Sequence, residues 1–357
     1  MAHDAPNGSA TEVIDVHAHA LPLPLLRALE ADGLADLSRT ADRIVSLAPQ
    51  LSGLQEAAPI PFPEEQHDLQ LRLAQMDAHG VHRQAVSAPP FLFGSESLDP
   101  GLTLEVTRRS NDALAEFVAG SGGRLLGLAT LPVGLPGGVA ELARCVDELG
   151  FVGATIGTYG GGAELDDPVN EELWAELAAR QLFVLVHPSR ASSPSRLADY
   201  HLVQLLGYPA ETALAVSRLV LGGVMDRHDL VLCLAHGGGC FPAVAPRLNL
   251  GWHRKSVARG AVHPPTDYLA RFRYDTAVFD PEMLRRLVSD VGVQRVLLGT
   301  DAPFDLADRE PLRTVAALGL SPQDERAVLG GNAVQLLGSA SAAGLERHSA
   351  TAGPAAR

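Results

Sequence analysis

Eight short apolar runs, most of them followed by a stretch of helical spacing, constrain this chain more than any other feature. They lie at 13–16, 84–88, 125–131, 152–156, 182–186, 230–235, 273–278 and 296–299. Strands that alternate with helices predict a parallel sheet, because each crossover must return over the sheet to start the next strand in the same direction. Eight such units favour a closed barrel over an open doubly wound sheet. No Gly-x-Gly-x-x-Gly follows the first strand, which counts against dinucleotide binding. The expected fold class is therefore α/β, a (β/α)8 TIM barrel. It is interrupted by a stretch at 25–62 that settles into no strand–helix unit and leaves through Pro59, Pro61 and Pro63. A long insertion of this kind reads as a lid or small subdomain. The expected barrel domain spans 12–338, and 339–357, rich in Ala, Ser and Gly, reads as a C-terminal tail.

Composition limits the partners. The 357 residues carry a formal net charge of −14, which argues against a nucleic-acid binder and against an anionic membrane surface. A small anionic substrate stays compatible, because a few local cations override the global sign. No uninterrupted apolar run is long enough to predict a membrane span. Residues 1–11 lack the basic and apolar regions of a signal peptide. Cys145, Cys233 and Cys240 form no CxxC pair and leave one over in any disulfide scheme, so a reduced, cytoplasmic protein is expected.

Four strands end in residues able to do chemistry: the first in His17-x-His19, the fifth in His187, the sixth in His236, the eighth in Thr300-Asp301. Residues i and i+2 of a strand point to one side, so His17 and His19 can converge on one point. In a βα-barrel all strand C-termini share one face, where active sites are built. Any one of these residues alone has an ordinary structural explanation, but four matching strand ends are hard to reach by chance. Three imidazoles and a carboxylate suit a divalent transition metal, Zn²⁺ first. Either His187 or His236 could be the third imidazole ligand, the other serving as proton shuttle. Gly237-Gly238-Gly239 follow His236, and their lack of side chains would suit access of a substrate to the imidazole. Asp15 reads as an orienting residue for the turn or for a ligand.

Asp-Val-His-Ala-His at 15–19, His187-Pro188, Ala235-His236-Gly237-Gly238-Gly239, the segment Leu298-Gly299-Thr300-Asp301-Ala302-Pro303-Phe304 and Gly331-Asn332-Ala333 resemble the amidohydrolase superfamily. Pro209-Ala210-Glu211-Thr212, followed by Gly222-Gly223-Val224, is similar to its aminocarboxymuconate semialdehyde decarboxylase-like branch. The resemblance implies a distorted barrel with one Zn²⁺ held by His17, His19, His187 and Asp301, and His236 as the catalytic acid/base. It implies arginines for the substrate carboxylates, one from the insertion (Arg43, with Arg39 competing) and one, Arg247, from the neighbouring subunit of a homodimer. Phe304 would be an aromatic beside the substrate. Two departures stand out: Ser189 and Gln204 occupy positions where the branch carries tryptophan, so the exact substrate is open.

The function expected on these grounds is metal-dependent, non-oxidative decarboxylation of a small unsaturated or aromatic carboxylic acid. The alternatives are a hydroxybenzoate- or methylsalicylate-type decarboxylase, a metal-dependent hydrolase of a lactone or amide, and a metal-binding protein without turnover.

Overall fold

The computed structural model describes residues 12–52, 59–97 and 99–337. The expected tail at 339–357 lies outside them. Eight strands pair in chain order: β1 (Ile14–His19), β2 (Arg83–Ser87), β3 (Leu125–Leu131), β4 (Gly153–Ile156), β5 (Phe183–Val186), β6 (Val231–Leu234), β7 (Arg273–Asp275) and β8 (Val296–Leu297). Every pairing is parallel. The two edges also meet. The Val16 N–H donates to Leu298 O at 2.9 Å, Asp301 N–H to His17 O at 2.8 Å, and His19 N–H to Ala302 O at 2.7 Å. Ala18 and Ala302 form a parallel bridge. The sheet closes into a (β/α)8 barrel.

A helix follows each strand on the outside, with further short helices at Val224–Arg227 and Pro322–Arg326. After α1 (Leu23–Ala31) in the insertion come α2 (Leu69–Ala78), α3 (Pro100–Ala119), α4 (Gly138–Asp147), α5 (Glu171–Arg180), α6 (Tyr208–Leu221), α7 (Phe241–Arg254), α8 (Pro281–Val291) and α9 (Pro311–Ala316). Aspartate caps set several starts. Asp68, Asp99 and Asp280 accept from the N–H groups of Leu71, Leu102 and Met283, and the latter two caps precede a proline at the first helical position.

The alternation along the strands sorts their side chains into two layers. Val184 and Val186 of β5 and Leu232 and Leu234 of β6 face outward, packed with helix residues such as Trp174, Leu219 and Leu287. Ile14, Val16, Leu126, Leu128, Phe183, Leu185, Cys233 and Leu297 fill the barrel, closed below by Ala333 and Leu337. β7 and β8 are shorter than their apolar runs suggest. Thr276 Oγ1 bonds both N and O of Gly299 at 3.1 Å, and Leu298 N–H donates to Val328 O, so these residues leave the ladder for local bonds.

Between β1 and α2 the insertion builds its own small core. Ala35–Asp36, Ile44–Leu47 and Ile60–Pro61 form an antiparallel sheet. Leu26 and Leu29 of α1 pack with Val45, Leu47, Ile60 and Phe62, and against Leu92 and Val106 beside it.

Candidate metal centre

A bulge in β1 prepares the site. Asp15 pairs with Gln84 and Ala18 with Val86, so β1 spends three residues where β2 spends two. The extra residue shifts the side-chain phase. Ile14 and Val16 point into the barrel below the bulge, whereas beyond it Ala18 faces the helices. His17 and His19, both fully buried, thereby face the barrel mouth. Asp15 stabilises the bulge as the orienting residue of the turn. Its Oδ1 accepts from His17 N–H at 3.0 Å and Thr300 N–H at 3.1 Å, and its Oδ2 accepts from Thr300 Oγ1 at 2.6 Å and Gln84 Nε2 at 2.8 Å.

Three imidazoles at the mouth are fixed through Nδ1 by an acceptor oxygen. His17 Nδ1 donates to Asp275 Oδ2 at 2.6 Å, His19 Nδ1 to Ala88 O at 3.2 Å, and His187 Nδ1 to Pro188 O at 2.7 Å. Carboxylates and carbonyls cannot donate, so Nδ1 carries a proton in all three rings and Nε2 is the atom each directs inward as a candidate ligand. His17 Nε2 and His19 Nε2 are 3.2 Å apart, and Asp301 Oδ1 lies 3.3 Å from the first and 3.2 Å from the second. The four ligand atoms of His17, His19, His187 and Asp301 all fall within 4.8 Å of one another. His187 Nε2 and Asp301 Oδ1 are buried without a hydrogen-bond partner. Orphaned inward lone pairs cost free energy unless something binds them. A tetrahedral centre with bonds of about 2.0–2.1 Å spaces its ligand atoms by about 3.3 Å, so the cluster fits a divalent metal ion.

His236 stands beside the cluster rather than in it. Its ring centroid is 5.4 Å from that of His17 and 5.0 Å from that of His187. Nε2 lies 3.5 Å from Asp301 Oδ2, and Nδ1 has no partner. The His236 N–H donates to Asp275 Oδ2 at 3.0 Å, so one carboxylate positions both this backbone and the His17 ring. His236 and Asp301 each sit in the left-handed region, at φ 57° and 63°, a conformation that costs L-residues energy and concentrates at functional sites. The glycines after His236 do not open space for a substrate. A Cβ on Gly237 would meet Val278 at 2.5 Å, one on Gly238 the Tyr274 ring at 2.9 Å, and one on Gly239 the Pro209 carbonyl at 2.4 Å. They are required by close packing and positive φ, which corrects the access reading.

Electrostatics follow from burial. Desolvation alone would lower the His17 pKa, but Asp301 and Asp275 outweigh it and hold the ring up to about 10 in the metal-free protein. Burial pushes His19 down, and burial together with the neighbouring histidines pushes His187 well below its usual range. Burial would raise Asp301, but the histidines around it hold its carboxyl well below the usual carboxylate range.

Phe304 is half-buried with its ring centroid 5.2 Å from that of His19. Ser189 Oγ bonds Ser95 Oγ at 2.5 Å, and Gln204 lies in the π-helical turn Val203–Gly207. Arg43 lies on the insertion, 65% exposed, with Nη2 3.2 Å from Glu64 Oε1; Arg39 pairs with Asp42. Arg247 is exposed on α7 and makes no ion pair among the described residues. Asp275 was not foreseen, because a single carboxylate closing a strand has no partner visible in sequence. Also unforeseen are Phe93 and Tyr208, whose rings stand edge-on to His187 at 6.4 and 6.3 Å. Burial and Asp301 push the Tyr208 phenol up to about 12.

The family model described as amidohydrolase matches residues 14–339. The chain is 34% identical over 276 residues to a 2-amino-3-carboxymuconate-6-semialdehyde decarboxylase of Dictyostelium discoideum, covering 76% of this chain and 77% of that protein. It is 31% identical over 263 residues to a gamma-resorcylate decarboxylase of Rhizobium sp., covering 66% and 77%. A dihydroxybenzoic acid decarboxylase of Polaromonas sp., solved with manganese and the inhibitor 2-nitroresorcinol, shares the fold with a TM-score of 0.75 at 24% identity, over 94% of this chain and 99% of that one. The family match, the decarboxylase relatives and the buried cluster of three histidines and one aspartate agree, and the chain belongs to the amidohydrolase family as a metal-dependent non-oxidative decarboxylase.

Proposed function

We propose that the protein removes CO₂ from a small unsaturated or aromatic carboxylic acid, with His17, His19, His187 and Asp301 holding one Zn²⁺ and His236 moving the proton. The supporting observation is the placement of His236: its Nε2 abuts Asp301 Oδ2 while its Nδ1 is unpartnered and the side chain is 14% exposed. A bound divalent cation supplies Lewis acidity towards a substrate oxygen. His236 carries a proton at Nε2. When the C–C bond breaks, CO₂ leaves, the electron pair stays on the carbon, and the proton from Nε2 completes the new C–H bond. Asp301 orients the imidazole through Oδ2 while Oδ1 faces the histidine cluster. Phe304 forms an apolar wall beside His19.

The insertion at 25–62 acts as a lid in this reading. Arg43 and Arg247 anchor substrate carboxylates, with Arg247 reaching the site of a second copy in a homodimer. Arg247→Ala should then raise KM several-fold with metal content unchanged; an unaltered KM removes the anchor, and a monomer by sedimentation removes the dimer. Three free cysteines suit a reducing cytoplasm.

The test is incubation of Zn²⁺-loaded protein with 2-amino-3-carboxymuconate-6-semialdehyde, 2,6-dihydroxybenzoate and 5-carboxyvanillate, following CO₂. Release with at least one acid, and its loss in His236→Ala, is expected. Lactone or amide opening without CO₂ release from any acid would replace this reading with the hydrolase.

A further inference from the structure

Among the described residues, Tyr208 is the one tyrosine whose ring stands against a histidine of the cluster, and the chain fixes its place from three sides. It opens α6 and follows Gly207, where a Cβ would meet Ala191 Cβ at 2.6 Å, so the start of α6 lies against the segment that leaves His187. Pro209, next to it, packs on Gly239, and the Cys240 N–H donates to Pro209 O at 3.0 Å, which ties the same turn to the glycines after His236. Glu211, one helical turn on and 3% exposed, accepts from Ser192 N–H at 3.0 Å and Ser192 Oγ at 2.5 Å. The phenol is therefore held between the segments that carry His187 and His236, with its ring edge-on to His187. It lies close enough to Asp301 to feel the charge of that carboxylate.

The hydroxyl has no hydrogen-bond partner among the described residues. Tyr208 is half-buried, and its hydroxyl is not among the polar atoms closed off from solvent, so a bound molecule can reach it. Nothing else in the packing uses it, since phenylalanine would fill the same ring volume. A half-buried donor beside a metal centre, fixed by a proline, a glycine contact and a buried glutamate, has the preorganisation of a substrate contact.

We propose that Tyr208 is a specificity-determining residue whose hydroxyl donates a hydrogen bond to an oxygen of the bound acid, either on its carboxylate or on a ring hydroxyl. The inference rests on the decarboxylase reading for the identity of the ligand. It predicts that acids presenting such an oxygen between His187 and His236 are preferred over isosteres that lack it, because the phenol would be left unpaired with the latter.

The experiment is calorimetric titration of Zn²⁺-loaded wild type and Tyr208→Phe with 2,6-dihydroxybenzoate, benzoate and resorcinol, with metal content and melting temperature measured alongside. The Phe variant keeps the ring and its contact with His187, so both of those controls should be unchanged. Binding of 2,6-dihydroxybenzoate should weaken roughly ten- to hundredfold, the loss of a hydrogen bond to a charged acceptor. If benzoate weakens in parallel while resorcinol does not, the accepting oxygen is on the carboxylate; the reverse pattern assigns it to a ring hydroxyl. Equal affinity of the two proteins for all three compounds, or no binding of any by wild type, overturns the proposal. Failure of wild type to release CO₂ while it still binds these acids more tightly than the variant would reject the decarboxylase reading and leave the contact standing.

Discussion

At the scale of single residues, the proposed ligands and the proposed proton carrier separate by what they touch. His187→Ala and Asp301→Ala each remove a donor that faces the centre, and both variants should lose metal on gel filtration, read by elemental analysis. His236→Ala should keep its metal and lose roughly 10²–10⁴ in kcat, the usual worth of a general acid; near-normal turnover would end its assignment. Asp275→Ala removes the acceptor that fixes His17 Nδ1 and should weaken metal affinity by about 10–100-fold in a chelator competition. The charge of His17 sets a pH dependence. Its folded pKa of about 10 exceeds the ordinary 6.5, so the proton's contribution to the stability of the metal-free protein is complete below 6.5 and is lost as pH rises through about 10. Metal uptake near pH 8 must expel that proton. Calorimetry in two buffers of different ionisation enthalpy should show about one proton released per ion, and none would contradict the coupling.

At the scale of elements, β1 is held in its bulged form by a buried hydrogen-bond network. Arg72 on α2, 2% exposed, donates to His19 O, to Gln84 Oε1 at 2.6 Å and to Glu65 O at 2.8 Å. Gln84 passes the connection to Asp15, which holds His17 N–H and Thr300. Burial lowers Arg72 only to about 10, with Asp15 and Glu65 opposing, so it stays charged at neutral pH. Removing Arg72 takes the donor from the buried His19 carbonyl and Gln84 Oε1 and the nearby cation from Asp15. Arg72→Met should cost roughly 3–5 kcal/mol in urea unfolding, and Arg72→Met combined with Asp15→Asn should recover part of it; a loss within 1 kcal/mol for the single variant would show that the network does not hold β1. Gly239→Ala forces a Cβ onto the Pro209 carbonyl in a left-handed backbone, so it should displace both the His236 turn and the start of α6.

At the scale of the whole molecule, closure of the barrel brings Asp301 onto His17. The seam bonds Asp301 N–H to His17 O, and Thr300, one residue earlier, to Asp15. A ligand set drawn from both edges of one sheet makes metal binding and barrel closure favour each other. Added Zn²⁺ should raise the melting temperature of wild type, as any ligand of the native state does. Asp301→Ala should show no such rise; an equal rise would place the stabilising ion elsewhere.

The sequence by itself determined the barrel and most of its centre, because both depend on local facts. Apolar alternation marks each strand, and the residue just past a strand must fall on the catalytic face once the strands are parallel. That is why His17, His19, His187, His236 and Asp301 were legible before any coordinates. Asp275, Arg72 and Tyr208 were not. Arg72 sits on a helix whose spacing marks Leu69, Leu73 and Met76 as the inner face, yet the structure buries Arg72 with Met76, because the His19 carbonyl and Gln84 lie where its guanidinium reaches. Asp275 acts on a ring 258 residues away, and Tyr208 acquires its place from contacts with Ala191 and Gly239. Their roles are set by which segments close against which. Only the tertiary structure decides that, because a short-range pattern fixes the face on which a side chain emerges but not the partner waiting there.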